Sequence, residues 1–374
     1  MSRPRLIAAS LEPLLDFKDE PTRTSGLFVE LERLFPLAGF VRPTIKGPGD
    51  WTAKAIAIHA NRDAWRGRAW LSPLAFRLRT EAAEQQLARR EGEYDLILQL
   101  QTLFAPGTRP RPYVIYTDNT YTQTRRFYRA WAPLSRRAER QWRDLEKSTF
   151  RNAQAVFGMS RWVCRAIIDD YGCDPSVVIP VGAGANSLSA TNEGKSYARR
   201  IALFVGNKYE LKGVPTLLEA WEIVRERLPE ALLWIAGVDP PRGVAKRFPS
   251  VQWFGYVSDR RQLDELYADA SVFVLPTQFE AYGHVVVEAM GSGLPCVTTN
   301  VGALPELVED GVTGLLVPPR EPAALAEALI GLLSDPARAE RLGRAGQQKV
   351  VRQLTWRAVA ERMAPYLEAA VGRH

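Results

Sequence analysis

The chain has 374 residues, 46% of them hydrophobic and 10% aromatic, which excludes a disordered polypeptide and exceeds what one core organises. No apolar run approaches the roughly 20 residues of a membrane span, and only three histidines and three cysteines (Cys164, Cys173, Cys296, none in a C-x-x-C pair) argue against a zinc site. The net charge of +7 is uneven, with 31 Lys+Arg against 21 Asp+Glu in residues 1–200 and 18 against 21 in residues 201–374, so two domains are expected, the first facing something anionic.

The N-terminus, MSRPRLIAASLEP, begins basic, but its apolar run is short and soon meets Glu12 and Asp16. It reads as a first β-strand and not as a signal peptide. Further strands are predicted at 55–60, 94–100, 113–117, 155–159 and 176–181 in the first half, and at 201–206, 231–237, 251–256, 271–276, 295–299 and 314–318 in the second. These runs lack polar alternation, the pattern of parallel strands buried on both faces. Helical stretches such as VPTLLEAWEIVRERL (214–228) separate them, and strands alternating with helices predict doubly wound α/β sheets. The polar segment NSLSATNEGKSYARR (186–200) has no apolar periodicity and reads as a linker. The expected organisation is a Rossmann-like domain over 1–185, a linker over 186–200 and a second Rossmann-like domain over 201–355. A final amphipathic helix follows over 356–374. Ligands of such sheets bind at the carboxyl ends of strands, here expected in a central cleft between the domains. Three unpaired cysteines suit a reducing cytoplasm.

Two carboxyl-end loops of the second half carry chemistry. After IALFVG comes NKYELKG (207–213), ahead of a helix starting near Val214 and Pro215. Gly206, Gly213 and Lys212 in a strand-to-helix loop suit phosphate, because backbone N–H groups and a helix N-terminus attract anions and lysine adds a point charge. Neither a P-loop nor a G-x-G-x-x-G fingerprint is present. An ordinary β–α loop with a surface lysine is the plainer reading. After SVFVLP comes TQFEAYG, then a helix expected near Gly283. Carboxylates accept hydrogen bonds in pairs and suit vicinal hydroxyls. A diphosphate between two sugars fits the layout: Glu288 on a ribose, Glu280 on the second sugar, and Lys212 with the amides of Tyr282, Gly283 and His284 near the phosphates. The plainer alternative makes Glu280 a charge favouring the helix dipole and Glu288 a solvated helix residue.

The stretch FEAYGHVVVEAMGSGLPCVTTNVGALPELVEDGVTGLLVPP (279–319) resembles the retaining glycosyltransferases of family 4, the group 1 glycosyltransferases of GT-B fold. Their pattern is E-x-F-G-x-x-x-x-E-A-M-A-x-G-x-P-V, then G-G-x-x-E and G-x-x-G-x-L-V-x-P. VGNKYELKGVPTLLEAW (205–221) and FGYVSDRRQLDELYADASVFVLPT (254–277) resemble the family in order and spacing. The first half resembles it only in strand order and in AVFGMSRWV (155–163). The resemblance implies a metal-independent hexosyltransferase that moves a sugar, with retention, from a UDP- or GDP-type donor to a glycan or lipid-linked acceptor, with no further cofactor. It implies that Glu280 contacts the donor sugar, Glu288 the ribose and Lys212 the departing diphosphate. Gly206, Asn207, Lys208, Tyr256, Val257, Tyr282, Gly283, His284 and Val285 are the remaining donor-binding positions. It also implies an acceptor-binding first domain onto which the last helix packs.

Three positions depart from the family pattern. Asn207 stands where an arginine often follows the phosphate-loop glycine, with Lys208 next. Thr24-Ser25-Gly26 is nearest to the glycine pair of the first loop. Thr117-Asp118-Asn119-Thr120 replaces a segment that often holds a histidine, which makes Asp118 the candidate for a polar contact to donor sugar or acceptor. An Asx-turn closing the strand is its alternative role. A sugar-nucleotide epimerase or hydrolase, and a noncatalytic sugar-nucleotide-binding protein, remain competing functions. Nucleic-acid binding is disfavoured, since no recognition motif appears.

Residues 125–151 carry nine basic side chains with Phe127, Tyr128, Trp131 and Trp142 interleaved. Leu134, Ala138, Trp142 and Leu145 recur at helical spacing, so one face packs inward and arginines cover the other. Such a face suits an anionic membrane surface and a peripheral location at the inner leaflet. A solvated helix supported by Arg140 and Asp144 at i,i+4 is the alternative.

Overall fold

The computed structural model describes residues 3–12, 24–45, 62–107, 111–131, 133–186 and 195–371. The strand expected at 55–60 and most of the expected linker lie outside them. Residues up to Ala183, together with those from Trp356 on, form one unit, and Gly184–Thr355 form the other.

The first unit contains β1 (Leu6–Ala9), α1 (Ser25–Leu34), β2 (Leu37–Val41), α2 (Arg62–Leu71), α3 (Pro73–Ala88), β3 (Leu96–Leu100) and β4 (Tyr113–Thr117). It continues through α4 (Tyr121–Phe127), α5 (Arg136–Arg151), β5 (Ala155–Gly158), α6 (Arg161–Tyr171) and β6 (Val178–Pro180). Its described strands pair in parallel in the order β2-β1-β3-β4-β5-β6. β1, β3, β4 and β5 are buried along their whole length, which is why each reads as a mainly apolar run, Gln99 of β3 being a buried polar exception. β2 was not predicted: LAGFV is short, carries Gly39 and starts two residues after a helix ends.

The second unit contains β7 (Ile201–Val205), α7 (Val214–Arg227), β8 (Leu232–Ala236), α8 (Val244–Arg247), β9 (Val251–Gly255), α9 (Arg260–Asp269) and β10 (Val272–Leu275). Then come α10 (His284–Gly291), β11 (Cys296–Thr299), α11 (Leu304–Leu307), β12 (Gly314–Val317), α12 (Pro322–Leu333) and α13 (Pro336–Gln353). The strands, all parallel, are ordered β12-β11-β10-β7-β8-β9. The order reverses between β7 and β10. The loops leaving those two neighbouring strands therefore open side by side at the carboxyl edge, the switch point where such sheets bind ligands.

The last helix, α14 (Trp356–Val371), groups with the first unit. Arg362 Nε donates to the Val181 carbonyl at 2.8 Å, and the Trp356 ring lies where a side chain on Gly26 would go. Gly26 thus serves helix packing, a role the sequence alone did not suggest. Cys164, Cys173 and Cys296 are buried free thiols. No helix among the described residues is long and apolar enough to cross a membrane.

The basic segment folds much as its periodicity predicts. Ser135 caps α5 by accepting from the Ala138 amide. Trp142 packs edge-on against Phe76 at 5.3 Å, beside Leu134 and Tyr121, with Ala138 and Leu145 half-buried there. Arg136, Arg137, Arg140, Arg143 and Lys147 are exposed. Glu146, also in α5, is buried. It accepts from the Thr102 hydroxyl at 2.8 Å, the Tyr121 amide at 3.2 Å and the Tyr171 hydroxyl. Position 146 falls one helical turn beyond Trp142, on the buried side of the helix.

Candidate functional site

The loop after β7 turns back on itself. The Lys212 amide donates to the Lys208 carbonyl at 2.8 Å and the Val214 amide to Tyr209 at 3.1 Å. Gly213 then caps α7 at φ +77°, and any Cβ there would collide with the Pro276 carbonyl. Only glycine allows both that backbone conformation and that approach. The close approach presses the β7 loop against the β10 loop.

Hydrogen bonds lace the two loops together. The Thr277 hydroxyl donates to the Leu211 carbonyl at 3.1 Å, the Gln278 amide donates to the same carbonyl at 2.8 Å, and the Gln278 side chain reaches Glu210 at 3.2 Å. Thr299, from the end of β11, donates to the Thr277 carbonyl at 2.6 Å. Thr277 and Thr299 are fully buried and were missed in the sequence, because a threonine at a strand end carries no signal of its long-range partner. The Ala303 amide donates to the Glu280 carbonyl at 3.3 Å, and Gly302, at φ +57°, leaves no room for a Cβ beside that carbonyl. Three loops thus fix the backbone of Glu280.

The side chains of Lys212 and Glu280 meet in this frame. Lys212 Nζ lies 2.6 Å from Glu280 Oε2, with only 17% and 12% of the two side chains exposed. Each ion is the other's counter-charge where water supplies little solvation. Glu280 is thus half of an ion pair across 68 residues, more than the helix-dipole charge of its plainer reading.

Helix α10 starts at His284, with Gly283 as its cap at φ +111°, so its electropositive end opens beside this pair. Tyr282 is buried, with its ring 5.1 Å from the His284 imidazole, and His284 and Val285 are half-buried. Glu288 follows in the second turn and is only 6% exposed, which overturns its reading as a solvated residue. Arg260 Nη1 donates to its Oε1 at 3.2 Å and Tyr267 Oη to its Oε2 at 3.3 Å. Burial pushes the Glu288 carboxyl up from its ordinary pKa, while the Arg260 guanidinium opposes that rise. Neither Arg260 nor Tyr267 was selected from the sequence.

The remaining predicted positions spread outward. Gly206 closes β7, its amide donating to the Ala236 carbonyl at 2.9 Å, and Asn207 and Lys208 follow it exposed. Tyr256 is 77% exposed and Val257 half-buried in the connection from edge strand β9 to α9. Asp118 belongs to the first unit, at the carboxyl end of β4. It is buried to 9% exposure. The turn around it uses Thr117: its hydroxyl donates to the Asn119 carbonyl at 2.9 Å. Thr120 then starts α4 with a capping box closed by Gln123.

The family model for glycosyl transferases group 1 matches residues 199–335. Among curated proteins, the chain is 33% identical over 209 residues to alpha-maltose-1-phosphate synthase of Mycobacterium tuberculosis, covering 51% of this chain and 53% of that protein. It is 29% identical to the MMP alpha-(1->4)-mannosyltransferase of Mycolicibacterium hassiacum, covering 80% of this chain and 76% of that protein. A phosphatidyl-myo-inositol mannosyltransferase of Mycobacterium tuberculosis is 33% identical, covering 57% of each chain. The chain spans about half the length of the first curated relatives it matches. Among solved structures, sucrose-phosphate synthase from Thermosynechococcus elongatus superposes with a TM-score of 0.72 at 20% identity, over 99% of this chain and 100% of that one. Anabaena HepE in complex with UDP and glucose superposes at 0.63 and 17% identity, over 97% of this chain and 99% of that one. The two parallel six-stranded sheets, the motif-bearing loops at the second sheet's switch point and these matches agree: residues 199–335 form a group 1 glycosyltransferase domain, and the chain has the two Rossmann-like sheets of the GT-B fold.

Proposed function

We propose that this protein is a metal-independent retaining glycosyltransferase that moves a hexose from a nucleotide-diphosphate donor, of UDP or GDP type, to a hydroxyl of a glycan or lipid-linked glycan. The observation that carries the reading is the Lys212–Glu280 pair, held by three loops beside the N-terminus of α10 with Glu288 one to two turns along the same helix. A diphosphate at that helix end competes with Glu280 for the Lys212 ammonium and turns Glu280 toward sugar hydroxyls. As the bond between the anomeric carbon and the diphosphate oxygen breaks, negative charge grows on the diphosphate. Lys212 and the helix end stabilise that charge more in the transition state than in the bound donor. The positive charge that a divalent cation gives some transferases comes here from Lys212, so EDTA is expected to leave turnover intact.

Glu288 holds the ribose, and the exposed Tyr256 with Val257 lies toward the base. Asp118, at the carboxyl end of β4 in the first unit, is the candidate for a polar contact to substrate. The relatives named as mannosyltransferases and the HepE complex with UDP and glucose support this substrate class. Radiolabelled UDP- and GDP-sugars, incubated with and without glycan or lipid acceptors, test it. Acceptor-dependent transfer supports the reading. Acceptor-independent release of sugar makes the protein a hydrolase, interconversion of the donor makes it an epimerase, and tight donor binding without turnover makes it a binding protein.

The exposed basic face of α5, with Phe127 and Trp131 about half exposed just ahead of it, supports peripheral contact with an anionic membrane from which a lipid-linked acceptor is drawn. A cytoplasmic location accords with free thiols and a nucleotide-sugar donor.

A further inference from the structure

Glu288 is assigned to the ribose by its place in the motif, but its motif does not say how a buried carboxylate is kept in one orientation. Its two oxygens are held by two residues of one helix. Arg260 opens α9 and Tyr267 stands two turns later on the same face, so both reach the same carboxylate. Arg260 is also tied at 2.8 Å to Asp264, its i,i+4 neighbour. Asp264 thus steadies a guanidinium that spans from the surface to the carboxylate. Exposed Asn186 provides a third hydrogen bond to Glu288.

We propose that Arg260, assisted by Tyr267, is the positioning residue that makes Glu288 a competent hydrogen-bond acceptor for the nucleotide. The inference rests on the reading of Glu288 as the ribose ligand. A carboxylate has about four acceptor positions. Arg260 and Tyr267 each take one, on different oxygens, which fixes the plane of the group and leaves acceptor positions for a pair of adjacent hydroxyls. Asn186, being exposed, is the partner that a ligand hydroxyl can displace. The guanidinium also opposes the upward push of burial on this carboxyl and so favours its ionised form. Protonated, Glu288 would turn one acceptor oxygen into a donor and lose part of its grip on a diol. Among the described residues, the charged and titratable groups facing this carboxylate are Arg260, Asp264 and Tyr267 of α9, and the buried Cys296 thiol of β11 beside Tyr267. Arg260 is the only cation among them.

The test measures UDP and GDP binding to the full chain by calorimetry across pH, with donor KM and kcat for any nucleotide sugar turned over. R260M should weaken nucleotide binding roughly ten- to a hundredfold, the loss of one hydrogen bond to a charged group. The acid limb of the binding profile should move to higher pH, because the opposing cation has gone. Donor KM should rise while kcat at saturation changes little. R260K should recover part of the loss, and Y267F should weaken binding without moving the acid limb as far. R261A, on the exposed side of the same turn, is expected to bind as wild type does. In an E288A background, R260M should cost nothing further. Wild-type affinity in R260M, or an equal loss when Glu288 is already alanine, would overturn the assignment. Should R260M fail to fold, R260K and Y267F carry the same comparison. Wild-type protein that binds neither UDP nor GDP would instead overturn the nucleotide reading, and this inference with it.

Discussion

Each unit buries a glutamate against a tyrosine hydroxyl, and the two are held in different ways. Glu146, in α5 of the first unit, is surrounded by neutral donors: the Thr102 and Tyr171 hydroxyls and the Tyr121 amide. Its carboxyl is pushed up to about 7, chiefly by burial, with hydrogen bonds opposing the rise. Glu288, in α10 of the second unit, has the Arg260 guanidinium as well as a tyrosine. A carboxyl held by neutral donors can take up a proton and keep most of its contacts, so it serves as a structural tie between helices. A carboxylate paired with a cation is biased toward its ionised, acceptor-only form, which suits a ligand rich in hydroxyls. Burial alone therefore does not distinguish the two carboxylates, whereas the counter-charge beside Glu288 does.

The largest effect that would break this comparison concerns Glu146. Its folded-state pKa, about 7, lies above the ordinary value of 4.5, so the folded protein binds the proton more tightly. The associated stability is fully present below about pH 4.5 and is lost as pH rises through about 7, a change on the order of 3 kcal/mol. E146Q cannot ionise, so the difference in melting temperature between E146Q and wild type should shift in favour of E146Q from pH 5 to pH 8. A constant difference across that range would place an ionised, cation-like environment around Glu146 and erase the contrast.

Lys212 sharpens the other side. K212A should lower kcat by a factor of about 10² or more, because its charge matters most as the diphosphate departs. A rise in KM alone would mean that Lys212 binds ground and transition states equally. E280Q should spare diphosphate binding and reduce turnover of the full donor. Equal loss of both would confine Glu280 to bracing Lys212.

E288A should cost roughly 1.5–3 kcal/mol in UDP or GDP affinity, one hydrogen bond to a charged group, and less in melting temperature than the affinity loss implies. The reverse ranking, with folding damaged more than binding, would make Glu288 a tie like Glu146. The smallest effect belongs to the basic face of α5. The triple variant R136S/R137S/R140S should weaken co-sedimentation with anionic vesicles by about 1 kcal/mol per charge that faces lipid. Salt should release the wild-type protein, and zwitterionic vesicles should not retain it. No binding to anionic vesicles at low salt would point to a soluble acceptor.

Much of the second unit was legible from local pattern. All six of its strands were expected, because parallel strands buried on both faces read as unbroken apolar runs. Lys212, Glu280 and Glu288 stood out because glycine, lysine and glutamate at strand ends carry chemistry in short, recognisable spacings. The first unit was less legible. β2 is too short and too glycine-bearing to announce itself, and nothing in the local pattern singles out Glu146 as a buried residue. Asp118 was singled out for a polar contact to donor sugar or acceptor, with an Asx-turn as its alternative, and the turn around it also uses Thr117, whose hydroxyl bonds the Asn119 carbonyl.

The sequence by itself determined the alternation of strands and helices, the division into two Rossmann-like sheets and the residues at the ends of β7 and β10, because each depends on side chains within a few positions of one another. Only the tertiary structure decided which loops become neighbours, which carboxylates lose water and which cations answer them. Strand order sets β10 beside β7 although some 70 residues separate them, and so brings Glu280 to Lys212. Hydrogen bonds from α9 join Arg260 and Tyr267 to Glu288 of α10 across 28 and 21 positions. A carboxylate's solvation and counter-charge are properties of the surface packed against it, and that surface is assembled from segments whose proximity no local spacing records.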